Sequence, residues 1–212
     1  MSPTFDAKAP LTEESIVKAA ELEVDDIDGK KVKFGTLFES EKAVVVFIRH
    51  FFCGLCQIYV ENLARVPSEP LSKAQTRIIV IGCGEYEAIK AYHDITGFKG
   101  AIYADPTRDL YHALGMTLET LSTAPSNQPK PGYLAGVGMV SNIFTSIWKG
   151  PMKNPVLIGK QGNISQLGGE FIFGPGKQCL FASRMRNTED HVSVEELMQV
   201  AGVEYKEDSG SH

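Results

Sequence analysis

The 212-residue sequence has few cysteines, a single tryptophan, no excess of basic residues and no long apolar run. Four cysteines in a chain of this length are too sparse for the disulfide scaffold of a small secreted protein. No stretch approaches the ~18 apolar residues of a membrane span. A net charge of −5 gives no electrostatic footprint for nucleic acid or for an anionic membrane surface. The first residues, Met1-Ser2-Pro3-Thr4-Phe5-Asp6, lack the charged and then apolar pattern of a signal peptide. There are no internal repeats. With 43% apolar and 22% charged residues, one globular domain over residues 1–212 is expected, in a reducing, cytoplasmic setting.

What is present centres on one stretch. Ala43-Val44-Val45-Val46-Phe47-Ile48-Arg49 is a β-branched, apolar run with the character of a buried parallel strand. His50-Phe51-Phe52 makes a short loop, and Cys53-Gly54-Leu55-Cys56 opens a helix that should stop near Pro67 and Pro70. A cysteine at a helix N-terminus feels unpaired N–H groups and the positive end of the helix dipole, which favour thiolate.

The flanking pattern alternates strands and helices, which argues for an α/β architecture. A helix from Thr12 to Leu22 precedes two short strands around an Asp28-Gly29 turn, and Phe34 to Phe38 reads as one helical turn. After the C-x-x-C helix come an apolar strand at 77–82 ending in Cys83, and a helix from Glu85 to Thr96 closed by Gly97. A strand at 101–104 and a helix from Thr107 to Leu114 follow. Residues 116–168 hold five prolines and seven glycines and read as a long irregular insertion, with a helical island at Ser141–Lys149. Phe144, Ile147 and Trp148 of that island would cover the site as a lid or serve as an ordinary core or dimer contact. A β-hairpin then flanks Gly174-Pro175-Gly176-Lys177, and a last helix, Val192 to Val200, has Ser193 and Glu196 as a capping box. The core is placed at about 20–203, with a mobile tail at 204–212.

This order of elements is the layout of a thioredoxin-like fold with a peroxiredoxin-type N-terminal hairpin. In detail the chain resembles the peroxiredoxin-like AhpC/TSA antioxidant-domain proteins, the group that includes the selenoprotein U relatives. The resemblance is carried by Val45 to Cys56, Tyr59-Val60-Glu61-Asn62-Leu63-Ala64, Ile79-Val80-Ile81-Gly82, Ile102-Tyr103-Ala104-Asp105-Pro106 and Leu114-Gly115-Met116. It continues in Gln166-Leu167-Gly168-Gly169, Gly174-Pro175-Gly176 and Asp190-His191. Two departures stand out. A peroxiredoxin P-x-x-x-[TS]-x-x-C motif ending at Cys53 would need proline at Val46 and a hydroxyl residue at His50. The hydroxyl that would orient a peroxide is therefore missing, and fast peroxidase chemistry is not expected. The second departure is Gly168-Gly169, which stands where thioredoxins carry a cis-proline facing the dithiol.

The resemblance and the C-x-x-C together imply a thiol-dependent oxidoreductase. Cys53 would be the nucleophile and Cys56 the resolving thiol, with regeneration by a reductant of thioredoxin or glutathione type and no cofactor required. A homodimer is an open assembly state. Arg49 and His50 alternate across the strand end, so one can face the sulfur; Arg49 is the choice for lowering its pKa, against a plain surface ion pair. His50 would be a proton carrier or a packed histidine. Arg184 returns beside Gly169 and would hold an anionic substrate or be solvated. The Phe51-Phe52 pair would shield the dithiol or dock a partner. Asp190-His191 would be a family feature or a cap on the last helix. The competing reading is an iron–sulfur centre with Cys53, Cys56 and Cys83 as ligands and a fourth from elsewhere; Cys179 should lie at the opposite end of the sheet.

Overall fold

A computed structural model describes residues 5–125, 127, 131–134 and 155–206. Strands β1 (Glu23–Asp25), β2 (Lys31–Lys33), β3 (Lys42–Phe47), β4 (Thr76–Gly82), β5 (Ala101–Ala104), β6 (Gly169–Gly174) and β7 (Gln178–Arg184) form one sheet in the order β2-β1-β5-β4-β3-β6-β7. β3, β4 and β5 are parallel; β6 runs antiparallel to β3, and β7 to β6. The mixed α/β thioredoxin-like expectation is borne out, including the N-terminal β1–β2 hairpin.

β3 shows why its sequence is apolar from Ala43 to Phe47. Val44 and Val46 face a core shared with helices α2 (Gly54–Leu63), α4 (Glu87–Thr96) and α6 (Val194–Val200). Ala43, Val45 and Phe47 face the other core, with α1 (Glu13–Glu21), the 3₁₀ turn Phe34–Phe38 and α5 (Asp109–Ala113). A strand covered on both faces has no polar side to display. Its carboxyl end is delivered to the sheet edge between the helix layers, where ligands usually bind in open α/β sheets.

Several boundaries follow local chemistry. The Thr12 hydroxyl accepts from the Ser15 N–H, and Ser193 accepts from the Glu196 N–H, so both N-caps form. Gly97 closes α4 at φ 65°, where a side chain would be strained. The C-x-x-C helix α2 ends at Leu63, shortly before Pro67 as expected, but Pro70 is no stop: it lies in the first turn of a separate helix α3 (Ser68–Lys73). Proline is tolerated there because the first-turn N–H groups have no helical partner to lose.

The insertion is also less irregular near its ends than its composition suggests. The Thr120 N–H donates to the Ser165 carbonyl, and the Leu167 N–H to the Leu118 carbonyl, so its two ends pair as they leave and re-enter the sheet. The helical island at 141–149, with Phe144, Ile147 and Trp148, lies outside the described residues, as do 207–212 of the tail.

Gly168 enters β6 against the end of β3, and a Cβ there would overlap the Phe47 carbonyl oxygen. Backbone cannot yield as a flexible side chain can. Gly168→Ala is therefore expected to destabilise the fold by about 2–3 kcal/mol, read as a lower urea midpoint at unchanged slope. A midpoint equal to the parent would show that the β3–β6 junction opens freely.

Candidate functional site

At the end of β3 the Ile48 N–H still donates to the Ile81 carbonyl, and the chain then turns away. The Tyr111 hydroxyl lies 2.6 Å from the Ile48 carbonyl oxygen and 2.9 Å from that of Ile81, tying β3 and β4 together where the site begins. Cys53 is the N-cap of α2, and Cys56 lies one turn in. Arg49 and the two cysteines converge. The Arg49 guanidinium donates to Cys53 Sγ (3.4 Å) and to the Ile164 carbonyl (2.6 Å), while its backbone N–H donates to Cys56 Sγ (3.4 Å).

Cys53 keeps 4% of its surface exposed and Cys56 none, so only Cys53 offers a path to an incoming molecule. The hydrogen bond from Cys56 lowers the Cys53 pKa most, and the Arg49 charge adds to it against the opposing effect of burial; the result is about 6. The Cys56 thiol is pushed well above the ordinary range, first by burial and then by its neighbour's negative charge. One thiol is poised as thiolate and the other is held protonated beside it, as Cys-X-X-Cys pairs at helix N-termini allow.

Behind Cys56 lies a group that the sequence offers only as a family feature or a helix cap. His191 Nε2 is 3.5 Å from Cys56 Sγ, and its Nδ1 is 2.5 Å from Glu170 Oε1. The imidazole stacks on Tyr59 at 4.3 Å with planes 5° apart, and the Tyr133 ring packs edge-on. Glu170 is fully buried; desolvation raises its pKa, offset in part by His191 and by a hydrogen bond from the Val192 N–H. Glu170 was missed as a site residue. The available signal was a glutamate in an otherwise apolar strand, Gly169-Glu170-Phe171-Ile172-Phe173.

Other expected site residues are placed elsewhere. Arg184 does pair with Gly169, but it reaches across the opposite face of the sheet. There it donates to the carbonyls of Leu114 and Ala9 and lies 5.5 Å from the centre of the Phe171 ring. The cause is the period of two: Glu170 and Ile172 face α2, whereas Gly169 and Phe171 face away. Gly169 accordingly packs against Ser183 and Met116 and not against the dithiol. His50 is buried, with its pKa lowered to about 3 by desolvation and then by Arg49, so it is a neutral packed histidine. Phe51 fills the space over Gly82 and packs on Tyr92, in the same buried core as Cys53 and Cys56.

Cys83 Sγ donates to the Arg49 carbonyl at 2.9 Å, and burial pushes this thiol up to about 12. Among the described residues, no three histidine, cysteine or acidic side chains are grouped as metal ligands. Cys179 is half-buried and opposite Phe173, at the far end of the sheet from Gly169, as its place in the hairpin requires.

Comparison with known proteins gives this geometry its context. Residues 62–187 match the family described as AhpC/TSA antioxidant enzyme. Peroxiredoxin-like 2C of Mus musculus is 40% identical over 187 residues, covering 87% of this chain and 79% of that protein. The chain belongs to the AhpC/TSA antioxidant enzyme family. The Homo sapiens Peroxiredoxin-like 2C is 39% identical over 188 residues, covering 88% of this chain and 80% of its own. A mutant of Xanthomonas campestris peroxiredoxin Q superposes with a TM-score of 0.58 at 12% identity, over 93% of this chain and 96% of that one. At that identity the likeness shows the fold. The AhpC/TSA match begins at Asn62, beyond both Cys53 and Cys56, so the case for the cysteine pair rests on its own geometry. No helix among the described residues is long and apolar enough to cross a membrane.

Proposed function

We propose that this AhpC/TSA family member is a thiol–disulfide oxidoreductase or peroxiredoxin-like reductase whose Cys53/Cys56 pair cycles between dithiol and disulfide. The observation that carries this reading is the convergence of Arg49 and Cys56 on Cys53 Sγ at the start of α2. With a disulfide substrate, the Cys53 thiolate attacks one sulfur, a mixed disulfide forms, and the other sulfur leaves as thiolate. Cys56 then gives up its proton and attacks Cys53 Sγ, which releases the second substrate thiolate and closes the Cys53–Cys56 disulfide. With a hydroperoxide, Cys53 becomes a sulfenic acid as the alcohol leaves, and Cys56 displaces its hydroxyl as water. Two thiols of a thioredoxin- or glutathione-type reductant return both cysteines to thiols, being oxidised to a disulfide themselves. A reducing compartment such as the cytoplasm suits this cycle.

Between the two substrates, disulfides are favoured. The position that would supply a hydroxyl to a bound peroxide holds the buried, neutral His50. The iron–sulfur reading would require Cys83 to abandon its hydrogen bond to the Arg49 carbonyl, and no observation favours it over the dithiol.

The test is the pH dependence of Cys53 alkylation in the reduced protein. Because its pKa is lowered, the thiolate persists as pH falls from 9 and is lost only through about 6. Reaction with iodoacetamide should be nearly flat above about pH 7 and fall about tenfold per unit below about pH 5.5. A rate still rising steeply between about pH 8 and 9 would be that of an ordinary thiol and would overturn the proposal.

A further inference from the structure

Cys56 presents a problem that the dithiol cycle must solve. It is fully buried and protonated, so when its turn comes to attack, its proton needs an acceptor inside the protein. Bulk water does not reach it. The buried His191–Glu170 pair described above is in hydrogen-bond contact with the Cys56 sulfur.

We propose that His191 is a catalytic base that takes the Cys56 proton in the resolving step, with Glu170 as its positioning residue. The inference rests on the dithiol reading above. The imidazole ring is fixed by its stack on Tyr59 and by Glu170, which accepts the Nδ1–H and leaves the Nε2 lone pair directed at Cys56. The Cys56 S–H has one proton and two acceptors, Cys53 Sγ and His191 Nε2. While Cys53 is thiolate, the proton serves it. Once Cys53 is bound in a mixed disulfide its negative charge is gone, and the proton is free to turn to His191. Transfer leaves a Cys56 thiolate beside an imidazolium, and the Glu170 carboxylate balances that charge within the same buried space. The new thiolate attacks Cys53 Sγ, the substrate thiolate leaves, and the imidazolium holds the proton until reduction of the disulfide regenerates the Cys56 sulfur, which takes it back. The cycle is thereby ordered: the second thiol is silent until the first has reacted.

The groups facing His191 are Glu170 from β6, Cys56 and Tyr59 from α2, Tyr133 from the Gly132–Leu134 turn, and Asp190 before it in the chain; Cys53 and Arg49 lie beyond Cys56. The two steps can be timed separately with a chromogenic aromatic disulfide added to the reduced protein. The first chromophore released reports attack by Cys53 and the second reports attack by Cys56. In His191→Gln the first release should be unchanged within about twofold, and the second slowed roughly 10- to 100-fold at neutral pH. That slow phase should recover about tenfold per pH unit as hydroxide replaces the missing base, a response that a mere packing defect does not give. Glu170→Gln keeps an acceptor for Nδ1–H without the charge, and should show the same selective slowing to a smaller degree. It also stands in if His191→Gln does not fold. A second release as fast as in the parent, or both releases slowed equally with no recovery at high pH, would overturn the role of His191. Absence of the first release from the unmutated protein would instead overturn the dithiol function itself, and this inference with it.

Discussion

Cys53→Ser is expected to reduce thiol-dependent turnover to the level of the uncatalysed reaction, because a serine hydroxyl in the same place cannot ionise near neutral pH. No other thiol is positioned to take over. Cys56 is fully buried and protonated, and Cys83 is buried, hydrogen-bonded to the Arg49 carbonyl and pushed up to about 12. Cys56→Ser should behave differently. Its hydroxyl can still donate to the Cys53 sulfur, so the first attack continues, but nothing resolves the product. The variant should release one equivalent of substrate thiol and stop, with a mixed disulfide on Cys53 detectable as added mass. Equal activity in the two variants would show that the pair does not divide the work as the geometry implies.

Arg49→Met should have the next largest effect, and it should depend on pH. The methionine fills similar space but removes the cation 3.4 Å from Cys53 Sγ and the bond to the Ile164 carbonyl. Loss of an adjacent opposite charge raises a thiol pKa by about one to two units. The hydrogen bond from Cys56, the larger of the two influences on Cys53, persists and keeps the shift from being greater. Below both midpoints the thiolate fraction falls tenfold for each unit, so alkylation of Cys53 near pH 5 should slow by about 10- to 100-fold. Near pH 9, where Cys53 is ionised in both proteins, the difference should vanish. A midpoint that stays at about 6 in the variant would assign the activation to Cys56 and the helix terminus alone.

Much of the fold was legible because the relevant forces are local. A strand covered on both faces favours apolar residues along its length, and the runs Ala43 to Phe47 of β3 and Ile78 to Ile81 of β4 announce themselves that way. Caps at Thr12 and Ser193 and the left-handed stop at Gly97 are written in single residues whose backbone or side-chain chemistry suits no other place so well. The helix-terminal placement of the cysteines follows from the strand–loop–helix pattern, and alternation along the strand end leaves one of Arg49 and His50 to face the sulfur. Where the reading erred, the missing information was non-local. Sequence alone brings Arg184 beside Gly169 and near the site because its strand returns there, but which face of the sheet it covers depends on the register of β6 against β3. A shift of one residue would have reversed it. Pro70 was read as a helix stop because a proline alone does not say whether it ends one helix or begins another.

The sequence by itself determined the parallel α/β core and the cysteine pair at the mouth of α2, and it offered Arg49 as the cation beside them. Each follows from residues within one strand, one loop and one helix turn. Only the tertiary structure decided what stands behind the second cysteine. Glu170 lies 114 residues after Cys56 and His191 lies 135 after it, on β6 and on the segment before α6. Their meeting depends on β6 pairing with β3 and on the last segment folding over α2. Long-range packing placed a buried acid and an imidazole against a buried thiol, and no local pattern encodes that contact.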